Sequence, residues 1–536
     1  MKRWFCLGLL CVLIALPAAA LAQEPLAQHP TYPDAQAGGT LVYGVWQTID
    51  NLDPHVSQLL VVAEIDKPMF DSLVYMRPGD PNIYPGLAKR WEISEDAKTY
   101  TFYLRDDVKF HDGTSLNAEA VKYNFDWVWN LDNLPGLSHD VLGPYQASTV
   151  VDEYTLRVDF EKPYGAFLPQ LAQIWGVIQS PAAREKWGDE YQFHLTGTGP
   201  YMLKEYVPND HVTMVRNPDY NWGPVIFHQG PAYLDSIEVR IIPEDATRVA
   251  ALETGEIQLC QSVPSQDLQR ISQNPELQLL VAPAGGIPWN TMINLQKPPL
   301  TDLALREALW YATNQELIVE TLFKGVRTAA HWPCETTMLG YDAEQDVPAF
   351  DLAKAKQILE NAGWVDANGD GIREKGGQEL KIVYIIVADF GMDEFATMQQ
   401  SMYRDAGFDT EIKVLAINAC LDAWNKAEHN LAPGLFWWPD PSFVRSFFHS
   451  SNRGRPSNWT HFDDPEMDQL ILDGEATADQ AVREVVYRKI FQKVIDQKAM
   501  IPLMHKQWVG AGVANLAGIS FDITGYPNFN DVHYTK

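Results

Sequence analysis

The chain is poor in cysteine and, after its first residues, in long apolar runs. Only five of its 536 residues are cysteine, and two of these lie in the first 22. The other three, Cys260, Cys334 and Cys420, allow at most one disulfide bond, and the sequence leaves its pairing open. Beyond the N-terminal segment no stretch reaches the roughly 18 apolar residues that a membrane-spanning helix needs. The longest, residues 382–388, has the length of a buried strand.

The motifs of several common enzyme classes are also missing. The sequence has no G-x-S-x-G elbow, no H-E-x-x-H, no C-x-x-C and no Walker A loop. These absences weigh against a metalloprotease, a redox protein and an NTPase. His111-Asp112 with nearby Ser115 is better explained as a loop and turn than as part of a catalytic triad. No enzyme activity is expected, and a secreted hydrolase with a scattered site is kept as an alternative.

Basic residues are scarce relative to acidic ones. The 41 Lys and Arg residues face 70 Asp and Glu, which gives a formal charge of −29. Such a surface repels nucleic acid and anionic lipid, so neither is an expected partner. Hydrophobic residues make up 46% of the chain and exclude a disordered protein. A chain of this length exceeds what one hydrophobic core usually supports, so two or three domains are expected.

The N-terminal segment has the features of a secretory signal peptide. Lys2 and Arg3 precede an apolar run that ends in the small-residue sequence Ala-Leu-Ala. We therefore expect residues 1–22 to be removed and the mature chain to begin near Gln23. Neither early cysteine follows a lipoprotein cleavage pattern, so a soluble, periplasmic protein without a lipid anchor is predicted.

Hydrophobic periodicity predicts a mixed α/β protein with several lobes. In TYTFYLR, Tyr100, Phe102 and Leu104 alternate with polar residues, which together with W-E-I at residues 91–93 predicts a β-hairpin. Asn117 is then a suitable N-cap for a helix, as are Asp302 and Asp351 further along the chain. Strands alternate with helices in the second half, as in α/β proteins. Further strands are expected at residues 156–160, 237–242, 380–388 and 410–414, and further helices at 245–252, 302–312, from 351, near 393–406 and at 480–497.

The segment from Asp366 to Glu374 imitates a calcium-binding loop. Asp, Asn and Asp occupy its first, third and fifth positions, and glycine the sixth. Gly377 stands at the twelfth position, where a bidentate Glu is required. We therefore favour a structural turn built by Asx and Gly residues over a calcium site.

Tryptophan is abundant, with 17 residues, and two of them are adjacent in the sequence W-W-P-D-P. Trp437 and Trp438 would face opposite ways in a strand, so at most one is expected to lie in the core. An accessible indole near Asp440 suits an amphipathic ligand, because the ring offers apolar contact and the carboxylate offers charge. The alternative is two packing residues and a turn aspartate.

Several ordered segments resemble the family 5 extracellular solute-binding proteins, the dipeptide, oligopeptide and nickel receptors of ABC importers. The resemblance runs nearly from end to end of the chain. Its segments include YPGLAKRWEISEDAKTYTFYLRDDVKFHDGT at 84–114, GTGPYMLKEY at 197–206, RNPDY at 216–220, LREALWYATN at 305–314 and DLAKAKQILENAGW at 351–364.

The resemblance implies a two-lobed periplasmic-binding-protein fold with an extra subdomain inserted in lobe I and a hinge between the lobes. The lobes are expected to close over a bound solute. The implied division is lobe I at 23–70, the inserted subdomain at 71–196, lobe I again at 197–283, lobe II at 284–504 and a C-terminal return to lobe I at 505–536.

The resemblance also implies where a ligand binds. Contacts are expected from the segment after the first strand of lobe I and from the W-W-P-D loop of lobe II, with Asp440 as counter-ion of a peptide α-amino group. The implied ligand residues are Val45, Trp46, Gln47, Thr48, Phe436, Trp437, Trp438 and Asp440.

The resemblance implies a monomeric receptor that delivers a small solute to an ABC permease in the inner membrane. A dipeptide or oligopeptide is the favoured cargo, and no cofactor, metal or catalytic residue is implied. An oligosaccharide or glycoside receptor is the alternative, in which Trp46, Trp437 and Trp438 would stack on sugar rings.

Overall fold

The computed structural model describes residues 28–344, 347, 349–388, 392–455 and 457–536. The predicted signal peptide at residues 1–22 and the predicted mature N-terminus near Gln23 lie outside the described residues. The described part of the chain is built around three larger sheets. The apolar residues of their strands are spaced so that at least one face of each sheet is buried.

The first large sheet has seven strands and is mixed. The strand Thr40–Val45 lies near its middle and runs parallel to both of its neighbours, Ser236–Ile241 and Leu259–Gln261. The order across the sheet is Leu277–Pro283, Gln507–Val513, Leu259–Gln261, Thr40–Val45, Ser236–Ile241, His211–Arg216 and Tyr201–Val207.

A four-stranded antiparallel sheet contains the predicted hairpin. Its strands Ala88–Ile93 and Thr99–Leu104 pair, and the side chains of Tyr100, Phe102 and Leu104 are buried as the alternation predicts. The Asn117 side chain accepts a 2.9 Å hydrogen bond from the Ala120 amide and caps the next helix, which confirms the predicted cap. The strand order is Ala88–Ile93, Thr99–Leu104, Thr155–Phe160 and Tyr145–Asp152.

The third large sheet has five strands and contains the predicted strand, helix, strand run. Lys381–Val387 and Asp409–Leu415 pair in parallel, as expected when the helix Met392–Ala406 connects them. The strand order is Asp409–Leu415, Lys381–Val387, Leu431–Phe436, Ile287–Ile293 and Met500–Met504.

Short hairpins and helices complete the fold. The two-stranded sheets are Val74–Arg77 with Asp80–Pro85, Glu374–Lys375 with Gln378–Glu379, Leu516–Ala517 with His533–Tyr534, and Ser520–Phe521 with Pro527–Asn528. The α-helices before the five-stranded sheet are Leu60–Asp66, Ala118–Trp129, Leu137–Leu142, Phe167–Leu171, Pro181–Trp187, Asp245–Glu253 and Leu268–Ser272. Those around it are Leu303–Ala312, Gln315–Phe323, Leu352–Asn361, Met392–Ala406, Ile417–Asn425, Val444–Phe448, Pro465–Glu475 and Gln480–Asp496.

Two large hydrophobic cores divide the molecule into two lobes. One core joins the seven-stranded sheet to the four-stranded sheet of the inserted subdomain, and these make lobe I. The other surrounds the five-stranded sheet and makes lobe II, with buried residues from Ile287 to Met504. The chain therefore passes between the lobes twice, once at residues 283–287 and once at 504–507. We call these two crossing segments the hinge; the exact domain boundaries stay a prediction.

Smaller sequence features have local explanations in the structure. Cys260, Cys334 and Cys420 are each buried and free. In the calcium-like loop, Asp366 and Asp370 accept bonds of 2.7 Å and 2.8 Å from amides of their own turn. Among the helices that the structure describes, none combines the length and the apolar composition of a membrane-spanning segment.

Candidate ligand-binding cleft between the lobes

The segment Val45–Thr48 lies at the edge of lobe I that faces the hinge. The strand Leu259–Gln261 is antiparallel to Gln507–Val513, so its carboxyl end lies beside the beginning of that strand. Thr40–Val45 is parallel to Leu259–Gln261, and its carboxyl end therefore points to the same edge. That edge is where the chain arrives from lobe II.

The W-W-P-D segment lies at the facing edge of lobe II. The strand Leu431–Phe436 is antiparallel to Ile287–Ile293, and Phe436 pairs with Ile287, the first strand residue after the hinge. The residues that follow Phe436 thus leave the sheet beside the hinge. We call residues 436–440 the ligand loop. The topology places it and the lobe I segment 45–48 at the two edges that meet at the hinge.

The lobe I segment exposes an indole to solvent. Val45 is fully buried in the lobe I sheet, whereas the side chain of Trp46 is 44% exposed. Gln47 is partly buried and Thr48 is exposed. A large exposed aromatic side chain at the mouth of a cleft is suited to a ligand contact, because ligand binding would remove its apolar surface from water.

The two tryptophans of the ligand loop have different environments. Trp438 is only 7% exposed and stacks on Phe436, with ring centroids 5.4 Å apart. Trp437 is partly buried, and the Nζ atom of Lys506 lies 4.6 Å from its ring centroid. The expectation that at most one of the pair lies in the core agrees with this arrangement, since Trp438 is the buried member.

Asp440 is held by an ion pair within lobe II. Its two carboxylate oxygens accept hydrogen bonds of 2.8 Å and 2.7 Å from the two terminal nitrogens of Arg483. The Ser442 amide donates a further bond of 2.9 Å. Both side chains of the pair are almost fully buried. The role of Asp440 as counter-ion of a cargo ammonium group stays a prediction, but the structure already supplies that carboxylate with a positive charge.

Arg483 is a residue that the sequence reasoning did not identify. Burial alone would lower the pKa of its guanidinium, but the Asp440 carboxylate raises the pKa above its ordinary value. Arg483 lies on the helix Gln480–Asp496 one turn before the buried Tyr487. A charged residue on the apolar face of a predicted helix is the signal that would have found it, because buried charges require partners.

Lys506, at the hinge, is a second residue that the sequence reasoning missed. Its ammonium group donates a 2.6 Å hydrogen bond to the Gly285 carbonyl and another to the Phe436 carbonyl. Burial lowers the pKa of Lys506 to about 7, and the nearby Glu335 carboxylate acts in the opposite direction. Glu335 also accepts a 2.7 Å bond from the Lys506 amide. One buried lysine thus joins both hinge segments to the ligand loop.

A cavity of about 200 Å³ lies between the lobes beside the ligand loop. Lobe I contributes residues that include Met76 and Asp80, and lobe II contributes Asp440 and Arg483. Of the predicted ligand residues only Asp440 lines it. The three carboxylates that line the cavity are already paired. Asp80 accepts a 3.0 Å bond from Arg77, Asp440 is bound by Arg483, and Glu484 accepts a 2.7 Å bond from Arg488.

Comparison with known proteins identifies the family. The sequence profile of the bacterial extracellular solute-binding proteins, family 5 (middle region), matches residues 82–458. The glutathione-binding protein GsiB of Salmonella typhi is 28% identical over 512 residues, which cover 93% of this chain and 95% of that protein. The nickel-binding periplasmic protein of Escherichia coli K12 is 29% identical, with 94% and 95% of the two chains covered.

Solved structures show the same fold. NikA from Brucella suis, in complex with Fe(III)-EDTA, superposes with a TM-score of 0.82 at 23% identity and covers 93% of this chain and 100% of its own. The oligopeptide-binding protein AppA of Bacillus subtilis, in complex with a nonapeptide, gives a TM-score of 0.72 at 22% identity, with 94% and 100% covered. The predicted two-lobed α/β fold is confirmed.

Proposed function

Because the chain belongs to the bacterial extracellular solute-binding proteins of family 5, we propose that it is a periplasmic receptor of an ABC importer. In this role it captures a small solute between its two lobes and delivers it to a permease in the inner membrane. It acts as a soluble monomer and catalyses no reaction. The observation that carries the proposal is the ligand loop of lobe II, which lies at the hinge opposite the exposed Trp46 of lobe I.

The cargo is of the peptide class. Relatives that align with nine-tenths or more of this chain are named for glutathione, which is a small peptide, and for a D,D-dipeptide. A peptide offers amide groups for hydrogen bonds and side chains for aromatic contact. A cleft edged by indoles and by the polar side chains of Gln47 and Thr48 suits both kinds of contact.

The residues that contact the cargo come from both lobes. Trp46 and Trp437 supply accessible aromatic surface, and Gln47 and Thr48 supply polar groups. The other predicted ligand residues support these contacts by their position in the two segments. They are Val45, Phe436, Trp438 and Asp440. An ammonium group of the cargo would share Asp440 with Arg483, so we expect the aromatic contacts to carry more of the affinity than the carboxylate does.

An oligosaccharide or glycoside is the second candidate cargo. The exposed indole of Trp46 and the partly exposed indole of Trp437 favour it, because flat aromatic rings pack against the apolar faces of sugars. The internal pairing of Asp440 with Arg483 also favours it, since a neutral sugar needs no counter-ion.

Native purification of the exported protein, followed by mass spectrometry of the released small molecules, tests the proposal. Recovery of glutathione or other short peptides in stoichiometric amount is the expected result. Recovery of a sugar would select the second candidate, and a metal chelate would contradict both. Calorimetric titration with glutathione and with the dipeptide Met-Leu then measures affinity directly.

A further inference from the structure

The lobes also meet away from the hinge, between the inserted subdomain and lobe II. Gly165 precedes the helix Phe167–Leu171, whose apolar side chains belong to the lobe I core. The Gly165 amide donates a 3.1 Å hydrogen bond to the carbonyl of Glu475. Glu475 ends the helix Pro465–Glu475, which packs in the lobe II core. This bond therefore joins two separately packed bodies.

Gly165 is required at this position by space rather than by backbone conformation. Its φ angle lies outside the left-handed region, so the backbone conformation that favours glycine is not the reason for glycine here. A Cβ atom on Gly165 would lie 1.7 Å from the Thr477 carbonyl oxygen and 3.2 Å from the Ala478 amide nitrogen. These are backbone atoms of lobe II and cannot rotate aside. The missing side chain makes room for the other lobe.

A second bond links the same helix of the inserted subdomain to the ligand-loop side of lobe II. The side-chain amide of Gln170 donates a 3.3 Å hydrogen bond to the Ser442 hydroxyl. Gln170 is itself buried, and its carbonyl oxygen accepts a 2.6 Å bond from Gln173, which fixes its orientation. The Ser442 amide is bound by Asp440, the last residue of the ligand loop. Ser442, the lobe II residue of this contact, therefore lies two positions after Asp440 in the sequence.

The lobe II side of the contact is held in place by its own ion pair. The Arg445 guanidinium donates a 2.6 Å bond from Nε to a carboxylate oxygen of Glu475 and a second bond from its terminal nitrogen. The bidentate geometry fixes the end of the helix Pro465–Glu475 and therefore the carbonyl that Gly165 meets.

We propose that Gly165 and Gln170 of the inserted subdomain, with Ser442, Glu475 and Thr477 of lobe II, form a closure contact that positions the ligand loop for solute capture. Contacts that exist only when the lobes approach stabilise the closed state over the open one. The inserted subdomain then contributes to binding without touching the cargo, and Gly165 is a positioning residue. The consequence for affinity rests on the proposed function, whereas the contact itself does not depend on the identity of the cargo.

Single-molecule energy transfer on the ligand-free protein tests the contact. Dyes are attached to cysteines introduced at Glu153 in lobe I and at Lys489 in lobe II, which are both exposed. Cys260, Cys334 and Cys420 are buried and should not react. The parent should show a high-transfer population, and Gly165→Ala should lose it with no fall in thermal unfolding temperature. The exposed Lys162→Ala is the control and should match the parent. Identical distributions for Gly165→Ala and the parent would overturn the proposal.

Gln170→Ala, Ser442→Ala and the double variant provide an independent test of the same contact. Each single change should reduce the high-transfer population. The double variant should reduce it no further, because the two changes remove the same hydrogen bond. Fully additive losses would contradict a direct contact.

Glutathione titration separates this inference from the proposed function. If the parent binds glutathione, Gly165→Ala should bind it at least tenfold more weakly, and equal affinity would contradict a role in capture. If the parent does not bind glutathione, the peptide-class proposal is weakened, while the energy-transfer distributions still decide the closure contact.

Discussion

At the scale of single residues, the Asp440–Arg483 pair leads to a stability prediction. Asp440→Asn keeps the shape of the side chain but leaves the buried guanidinium of Arg483 without a counter-charge. Removing one partner of a buried ion pair typically costs about 3–5 kcal/mol. We expect urea or thermal unfolding of Asp440→Asn to show a loss of this order even without cargo.

Asp463→Asn is the matched control for that prediction. Asp463 pairs with Arg453, both side chains are close to half exposed, and such pairs are worth less than about 1 kcal/mol. If Asp440→Asn unfolds at the same temperature as Asp463→Asn, then Arg483 does not depend on Asp440, and the carboxylate is free for the cargo.

Trp46 leads to a binding prediction. Its side chain is 44% exposed, so Trp46→Ala should lower the unfolding temperature only slightly. It should lower the affinity for the cargo identified by mass spectrometry by about 1–1.5 kcal/mol, roughly half the value of fully burying a large apolar side chain, because less than half of its surface is left to bury. Trp187 is a tryptophan of the inserted subdomain with a similar exposed fraction, 36%, and it lies outside the predicted site. The control variant Trp187→Ala should therefore bind the cargo like the parent. Calorimetric titration distinguishes the two variants, and unchanged affinity in Trp46→Ala would remove it from the site.

The residues that the sequence identified correctly are those whose roles are local. Asn117, Asp302 and Asp351 each cap a helix that begins at the next residue, and each side chain accepts an amide hydrogen of that helix. The partner of Asp440 could not be found in this way, because Arg483 is 43 residues further along the chain. The pairing depends on how a loop and a helix pack, which periodicity does not specify.

At the scale of elements, the hinge leads to a pH prediction. Burial lowers the folded-state pKa of Lys506 from 10.5 to about 7. Between these values the unfolded chain binds a proton that the folded protein has released, so this group makes stability rise with pH from about 7 to about 10. Lys506→Met should remove that contribution.

The test is the difference in unfolding temperature between the parent and Lys506→Met across this pH range. The parent should gain on the variant as the pH rises from about 7 to 10. Lys489→Met, at an exposed lysine, should show no such trend relative to the parent. A difference that does not change with pH would mean that Lys506 keeps its ordinary pKa and is not a desolvated hinge ammonium.

Elements with strong periodicity were predicted closely, whereas their neighbours in a sheet were not. The strand predicted at 380–388 is observed as Lys381–Val387, and the helix predicted at 480–497 as Gln480–Asp496. Nothing in the short strand Leu259–Gln261 indicates that it lies between Thr40–Val45 and Gln507–Val513. Such pairings join residues far apart in the chain, and only packing of the whole lobe determines them.

At the scale of the whole molecule, the resemblance implied the arrangement that residue patterns could not give. Alternating strands and helices indicated an α/β protein with several lobes, but not that the chain returns to lobe I at its end. The structure shows this return in the strand Gln507–Val513, which lies inside the lobe I sheet. The closure contact at Gly165 also lay beyond sequence reasoning, because a single glycine in the sequence does not indicate which distant backbone atoms pack against it.

Small-angle X-ray scattering with and without saturating cargo tests the central claim, that this protein captures a solute by closing two lobes around it. The radius of gyration should fall when the cargo identified by mass spectrometry is added, while the far-ultraviolet circular dichroism spectrum stays the same, because the lobes move as packed bodies. The unfolding free energy should rise by about 2.7 kcal/mol at a hundredfold excess of cargo over its dissociation constant. A radius of gyration that does not change at saturation would contradict capture by closure.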